Sequence, residues 1–133
     1  MLPRRQEKRF LSGIDHYIER LAGIHDEPEE EAHRRIALNV TNLAGGKKKI
    51  LLTGTAALEK LNILSEAIAQ QLEGIELVTA ADISLYADTL EALAECDAVL
   101  LAEEEGKSRI SGIRKERDSI EALGKPVIGY VLL

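Results

Sequence analysis

The sequence has few of the residues that build disulfides and metal centres. Its 133 residues include one cysteine, Cys96, and three histidines that do not cluster. One cysteine cannot form an internal disulfide, and a cysteine-rich zinc site needs several thiolates. We therefore expect neither a disulfide nor a metal site. Because Cys96 stands just before an apolar run, we expect it to be a buried structural thiol.

Aromatic residues and positive charge are also scarce. Aromatic residues make up 3% of the chain, tryptophan is absent, and the formal net charge is −6. Nucleic-acid binding depends on a basic face for phosphates, and single strands stack on aromatic side chains. The composition therefore argues against nucleic acid as a partner.

Long apolar runs are missing as well. No segment approaches the ~18 apolar residues that would mark a membrane-spanning helix, and no secretory apolar region follows the basic start. That start contains four cations, Arg4, Arg5, Lys8 and Arg9. It fits either a solvated helix face or a segment beside anionic lipid headgroups, where each cation contributes roughly 1 kcal/mol.

The chain begins with two helical patterns. Apolar residues recur at a period near 3.6 over residues 4–21, and Gly23 follows. A second helix is predicted to begin at residues 26–29, where an aspartate can cap it, a proline is tolerated and acids face the positive end of the dipole. This second pattern stops at Gly45 and Gly46.

Short apolar runs then alternate with helical patterns to the end of the chain. Predicted strands cover 49–53, 75–79, 98–102 and 127–132, and predicted helices cover 58–72, 84–95 and 110–123. Strands alternating with helices form right-handed crossovers and a parallel sheet covered on both faces. The predicted fold class is therefore α/β, a three-layer, doubly wound, parallel four-stranded sheet of order 2-1-3-4 with two N-terminal helices.

The loop after the first predicted strand lacks parts of a phosphate-binding loop. The pattern G-x-x-x-x-G-K-[ST] supplies backbone N–H groups, a lysine for the phosphates and a hydroxyl for Mg²⁺. Gly54 and Lys60 match it, but Glu59 replaces the second glycine and Leu61 replaces the hydroxyl residue. A carboxylate repels phosphate and leucine cannot bind a metal. We therefore expect no enzyme activity on nucleotides, no cofactor, and an exposed Lys60.

Acidic residues follow the third predicted strand, at the same edge of the sheet. Glu103, Glu104 and Glu105 precede Gly106. Three carboxylates could bind a cation, but a solvated strand end is the preferred interpretation. They would also make any phosphate site here more negative.

Three segments resemble bacterial tyrosine kinases of capsular and exopolysaccharide synthesis. The first is EAHRRIALNV at 31–40 with GGKKKILLT at 45–53, similar to the family's E-x-x-R-x-x-R helix and the strand that enters its Walker A loop. The second is CDAVLLAEEEGKSR at 96–109, and the third is LGKPVIGYVL at 123–132. They resemble the family's late strand with its G-K-[ST]-R loop and its closing strand.

The chain also departs from that family. The Walker A loop is altered, the middle of the domain is shortened to one strand and one helix, and Ala37 replaces the last arginine of the helix pattern. The resemblance therefore implies a non-catalytic relative, the cytoplasmic part of a polysaccharide chain-length determinant (co-polymerase). Glu31 and Arg34 remain from the helix pattern and are the residues that the resemblance assigns to a subunit contact.

The same resemblance implies a place and partners for the chain. Residues 1–27 would be a helical, juxtamembrane arm, and residues 28–133 a degenerate P-loop-like domain. The implied location is the cytoplasmic face of the bacterial inner membrane, with membrane segments outside this chain. The implied partners are further copies of the chain or other polysaccharide-assembly proteins, a kinase or a polymerase.

Two other functions remain open from the sequence. A flavodoxin-like phosphocarrier or transferase would need a cysteine or histidine at the end of the first strand, where Thr53, Gly54 and Thr55 stand. A weak nucleotide-binding domain without turnover would use Lys60 and the helix N-terminus at Ala56.

Overall fold

The computed structural model describes residues 17–20, 29–104 and 110–133. These residues form five strands and four helices. The strands are β1 (Tyr17–Arg20), β2 (Lys49–Thr53), β3 (Glu76–Thr79), β4 (Ala98–Glu103) and β5 (Val127–Leu132). The helices are α1 (Glu29–Ala44), α2 (Leu58–Ala69), α3 (Ala87–Ala94) and α4 (Ile110–Ala122).

All strands are parallel, in the order β1-β5-β4-β2-β3. Leu51 of β2 pairs with Val78 of β3 on one side and with Val99 of β4 on the other. The four predicted strands are β2 to β5, and they lie in the predicted order 2-1-3-4. The predicted doubly wound α/β fold is confirmed.

Strand β1 adds a fifth strand at the edge beside β5. Tyr17 lies opposite Tyr130, and Arg20 lies opposite Leu132. The helix predicted over 4–21 is therefore wrong at residues 17–20, because the free edge of β5 offers backbone partners that local periodicity does not reveal. The rest of that predicted helix, and of the predicted arm over 1–27, lies outside the described residues.

The core has two layers, one on each face of the sheet. Strand β2 sends Ile50 and Leu52 to one face and Leu51 to the other, as the two-residue period of a strand requires. The first layer receives side chains from α1 and α2, and the second from α3 and α4. Their buried contributions are Ile36, Val40, Leu61, Leu64 and Ile68 in the first layer and Leu93, Ile113 and Ile120 in the second.

Helix α3 begins three residues after its predicted start at Ser84. The Asp82 carboxylate accepts hydrogen bonds from the backbone N–H of Ser84 at 2.9 Å and from its hydroxyl at 2.7 Å. Aspartate forms such turns readily, and they compete with the first turn of a helix. Because of this turn, the helix begins at Ala87.

Two further predictions concern burial and membrane spanning. Cys96 is a free, buried thiol, as predicted. Loss of hydration raises its pKa, which fits a structural role better than a reactive one. Within the described parts of the chain, no helix combines the length and the apolar character needed to cross a bilayer.

Candidate functional site

The candidate site lies where the carboxyl ends of β2 and β4 meet. These two strands are neighbours in the sheet, but the connection from β2 runs outward to β3. Ligands of doubly wound sheets bind at such a switch point. Two segments meet there, the loop Gly54–Ala57, called the β2–α2 loop below, and the acidic end of β4, Glu103 and Glu104.

The β2–α2 loop lies directly on the end of β4. A Cβ atom built on Gly54 would lie 1.9 Å from the carbonyl oxygen of Ala102. The same carbonyl accepts a hydrogen bond from the backbone N–H of Ala56 at 3.3 Å. Only glycine permits this approach, so Gly54 serves here to bring the loop against β4.

The side chain of Glu104, which follows β4, lies at the N-terminus of helix α2. Its Oε1 accepts a hydrogen bond from the backbone N–H of Ala57 at 3.0 Å, and its Oε2 lies 3.2 Å from Nζ of Lys60. Ala57 precedes the helix and has no side chain that could cap it. The Glu104 carboxylate therefore brings the negative charge that a helix N-terminus attracts.

Glu103 binds the middle of the same loop. Its Oε2 accepts hydrogen bonds from the backbone N–H of Thr55 at 3.0 Å and from the Thr55 hydroxyl. Glu103 is 0% exposed and Glu104 is 6% exposed, so the predicted solvated strand end is wrong for both residues. The reason is that the loop offers N–H donors to them; Glu105 lies outside the described residues.

The donors of the site that could bind phosphate are engaged by carboxylates of the chain. The N–H groups of Thr55 and Ala57 and the ammonium of Lys60 are the donors that a phosphate would use here. Glutamates of the same chain already accept from all three. A phosphate would have to displace two carboxylates and lie beside their charge, which costs several hydrogen bonds to charged groups.

Three more loop predictions can be placed in the structure. Glu59 is exposed in the first turn of α2, and Leu61 is fully buried in the core. Lys60 is exposed as predicted, with 49% of its side chain accessible, but it also pairs with Glu104. The position that would hold Mg²⁺ in a phosphate-binding loop is thus a core position in this chain.

Sequence reasoning missed Glu116, which lies against the site from helix α4. It is 0% exposed, and its two carboxyl oxygens accept no hydrogen bond from the described residues. Loss of hydration and the negative charge of Glu103 raise the pKa of Glu116 to about 12. The sequence did contain a signal for the burial of Glu116. Ile113, Glu116 and Ile120 share one face of the helix, and the apolar Ile113 and Ile120 lie on either side of Glu116.

The residues predicted for a subunit contact lie elsewhere. Glu31 and Arg34 are exposed on α1 and line an open groove between α1 and α2, together with His33, Ala67 and Gln71. The structure therefore does not place them in the β2–α2 loop or among the side chains that close it.

Comparisons give no further assignment. Among the described residues, no three histidine, cysteine or acidic side chains are grouped so that they could hold a metal ion. No family model and no curated protein sequence matches the chain.

The contact of Gly54 with β4 generates a first prediction. We expect Gly54→Ala to lower the free energy of unfolding by roughly 2–3 kcal/mol, because its Cβ would clash with backbone. Gly112→Ala is the control: its Cβ would meet only the Thr55 methyl group, at 3.5 Å, and should stabilise helix α4 by roughly 0.5–1 kcal/mol. Urea unfolding measures both, and equal stability of the two variants would contradict the close approach.

The burial of Glu104 generates a second prediction. Glu104→Ala leaves the Ala57 N–H and the Lys60 ammonium without this acceptor, so we expect a loss of roughly 1–3 kcal/mol in the free energy of unfolding. Glu59→Ala removes the same charge from an exposed position of the same region and should change it by less than about 0.5 kcal/mol. Similar losses in the two variants would show that Glu104 is solvated.

Proposed function

We propose that this chain is a non-catalytic interaction and regulatory domain of a protein of surface polysaccharide biosynthesis. Its place would be the cytoplasmic face of the bacterial inner membrane, with membrane segments outside this chain. The contacts of Glu103 and Glu104 with the β2–α2 loop support the proposal that the domain is non-catalytic. The resemblance to polysaccharide tyrosine kinases supports the proposed pathway and location.

The first support is that the nucleotide site is replaced by contacts within the chain. Thr55, Ala57 and Lys60 bind Glu103 and Glu104 instead of a phosphate group. Phosphoryl transfer needs a lysine on the phosphates and a metal held by hydroxyl and acidic side chains. Here the lysine is paired, and Leu61 is in the core.

The second support is the position of the segments that carry the resemblance. Residues 31–53 include most of α1 and all of β2, and residues 98–103 and 127–132 form β4 and β5. Strands β2, β4 and β5 are neighbours in the sheet. The resemblance thus covers one continuous part of the fold, as expected for a domain that keeps a scaffold while losing a site.

The proposed contact surface is the exposed side of α1. Glu31, Arg34 and Leu38 are spaced three and four residues apart, so they share one face of the helix. Leu38 is 57% exposed. A surface ion pair contributes only ~0–1 kcal/mol, so apolar contact through residues such as Leu38 must supply most of the association. The proposed partners are further copies of the chain or a polysaccharide kinase or polymerase.

No observation favours the phosphocarrier alternative. The residue at the end of β2 is Thr53, which is fully buried, and its hydroxyl donates a hydrogen bond to the carbonyl of Ala81 at 2.9 Å. A phosphoryl acceptor must be accessible and activated by a base. Thr53 meets neither condition.

The closed loop predicts the response to nucleotide. Magnesium ATP at millimolar concentration should leave the thermal unfolding midpoint of the chain unchanged, because the donors that would bind its phosphates are occupied. A ligand present at 100 times its Kd would stabilise by ~2.7 kcal/mol. An upward shift that Lys60→Ala abolishes would overturn the non-catalytic assignment.

The α1 surface predicts charge-dependent association of the chain. If Glu31 of one copy meets Arg34 of another, Glu31→Arg and Arg34→Glu should each lower self-association, and a mixture of the two variants should restore it. Sedimentation equilibrium measures this, with Glu66→Arg on the exposed side of α2 as the control. A chain that is monomeric at every concentration would contradict self-association through α1.

A further inference from the structure

Helix α4 has a carboxyl group, that of Glu116, at a buried position that faces the sheet, where an apolar side chain is expected. Its buried residues are Ile113, Glu116 and Ile120, and a helix that covers a sheet presents an apolar stripe to it. An ionised carboxylate without a partner is among the most unfavourable groups to bury. Glu116 must therefore be neutral or be compensated by a positive group.

Within the described residues, the charged groups that act on Glu116 do not compensate it. In the described residues they are Glu103 at the end of β4 and Asp82 in the loop before α3, and both are acidic. Two neighbouring carboxyl groups in a dry site cannot both ionise, so one of them retains a proton.

The hydrogen bonds indicate which of the two holds the proton. Glu103 accepts from the N–H and the hydroxyl of Thr55, and hydrogen bonds of this kind stabilise the ionised form. Glu116 accepts none from the described residues. This pattern of hydrogen bonds favours Glu103 as the carboxylate and Glu116 as the carboxylic acid.

We propose that Glu116 is protonated and donates a hydrogen bond to Glu103, and that this one shared proton holds the β2–α2 loop closed. The chain of contacts runs from the Glu116 hydroxyl to the Glu103 carboxylate and from there to Thr55. Glu116 acts as a positioning residue, since it reaches the loop only through Glu103. The proposal holds for any partner of the domain, because it involves only groups of this chain.

The shared proton makes the fold sensitive to alkaline pH. In the unfolded chain Glu116 ionises near its usual pKa of 4.5, whereas in the folded chain its pKa is raised and it keeps the proton. The stabilisation that Glu116 contributes is complete below pH 4.5, and it decreases as the pH rises toward the pKa of Glu116 in the folded chain. Relative to a variant that cannot titrate here, the unfolding equilibrium constant should rise tenfold per pH unit.

Three variants test the proposal. Glu116→Gln keeps a donor but cannot ionise, Glu116→Leu removes the donor, and Glu121→Gln is the control on the exposed side of the same helix. Between pH 5 and 8, Glu116→Gln should lose the tenfold change per pH unit that wild type and the control share. Amide hydrogen exchange of Thr55 should stay slow in Glu116→Gln and become at least tenfold faster in Glu116→Leu.

Parallel pH curves for wild type and Glu116→Gln would overturn the proposal. Isotope-edited infrared spectroscopy of the wild-type chain gives an independent answer even if a variant does not fold. It should detect a neutral glutamic acid at pH 7 that is protected from solvent, and a fully ionised set of glutamates would contradict this. Stabilisation by Mg²⁺ that Glu116→Gln abolishes would also overturn it, since a cation would then replace the proton.

Discussion

The binding of two glutamates to the first turn after β2 is the contact on which the rest of the site depends. Glu103 and Glu104 reach the backbone N–H groups of Thr55 and Ala57 from the end of the neighbouring strand. Their negative charge lies at the positive end of helix α2 and beside Lys60. The chain thereby satisfies with its own carboxylates the kind of donors that phosphate-binding loops offer to phosphate. These contacts of Glu103 and Glu104 with Thr55, Ala57 and Lys60, the loop closure, hold the β2–α2 loop against the end of β4.

Loop closure also explains the burial of acids in this small domain. Once Glu103 turns inward to the loop, the carboxyl group of Glu116 faces a negative neighbour in the core. Apolar side chains in this place would pack with less electrostatic cost. In some proteins a buried polar group is retained because it fixes one specific arrangement. Here Glu103 and Glu116 bring helix α4 together with the β2–α2 loop.

The fold was predictable because its signals are local and repeated. Continuous apolar runs predicted β2, β4 and β5, and Gly45 and Gly46 marked the end of helix α1. Strand β1 was not predictable, because its pairing with β5 depends on an edge more than a hundred residues away in sequence. The mismatch with a phosphate-binding loop was visible in the sequence at Glu59 and Leu61. The contacts of Glu103 and Glu104 were not, because the sequence predicts them as solvated acids and only the pairing of β4 beside β2 brings them to the loop.

Loop closure can be observed directly at the amides that it occupies. In the ¹⁵N-labelled chain, the ¹H–¹⁵N resonances of Thr55 and Ala57 report on their hydrogen bonds to the two glutamates. With Glu103 and Glu104 in place, these resonances should not move when magnesium ADP is added to millimolar concentration. Saturable shifts confined to these two amides and the start of α2 would contradict the account and restore a nucleotide site.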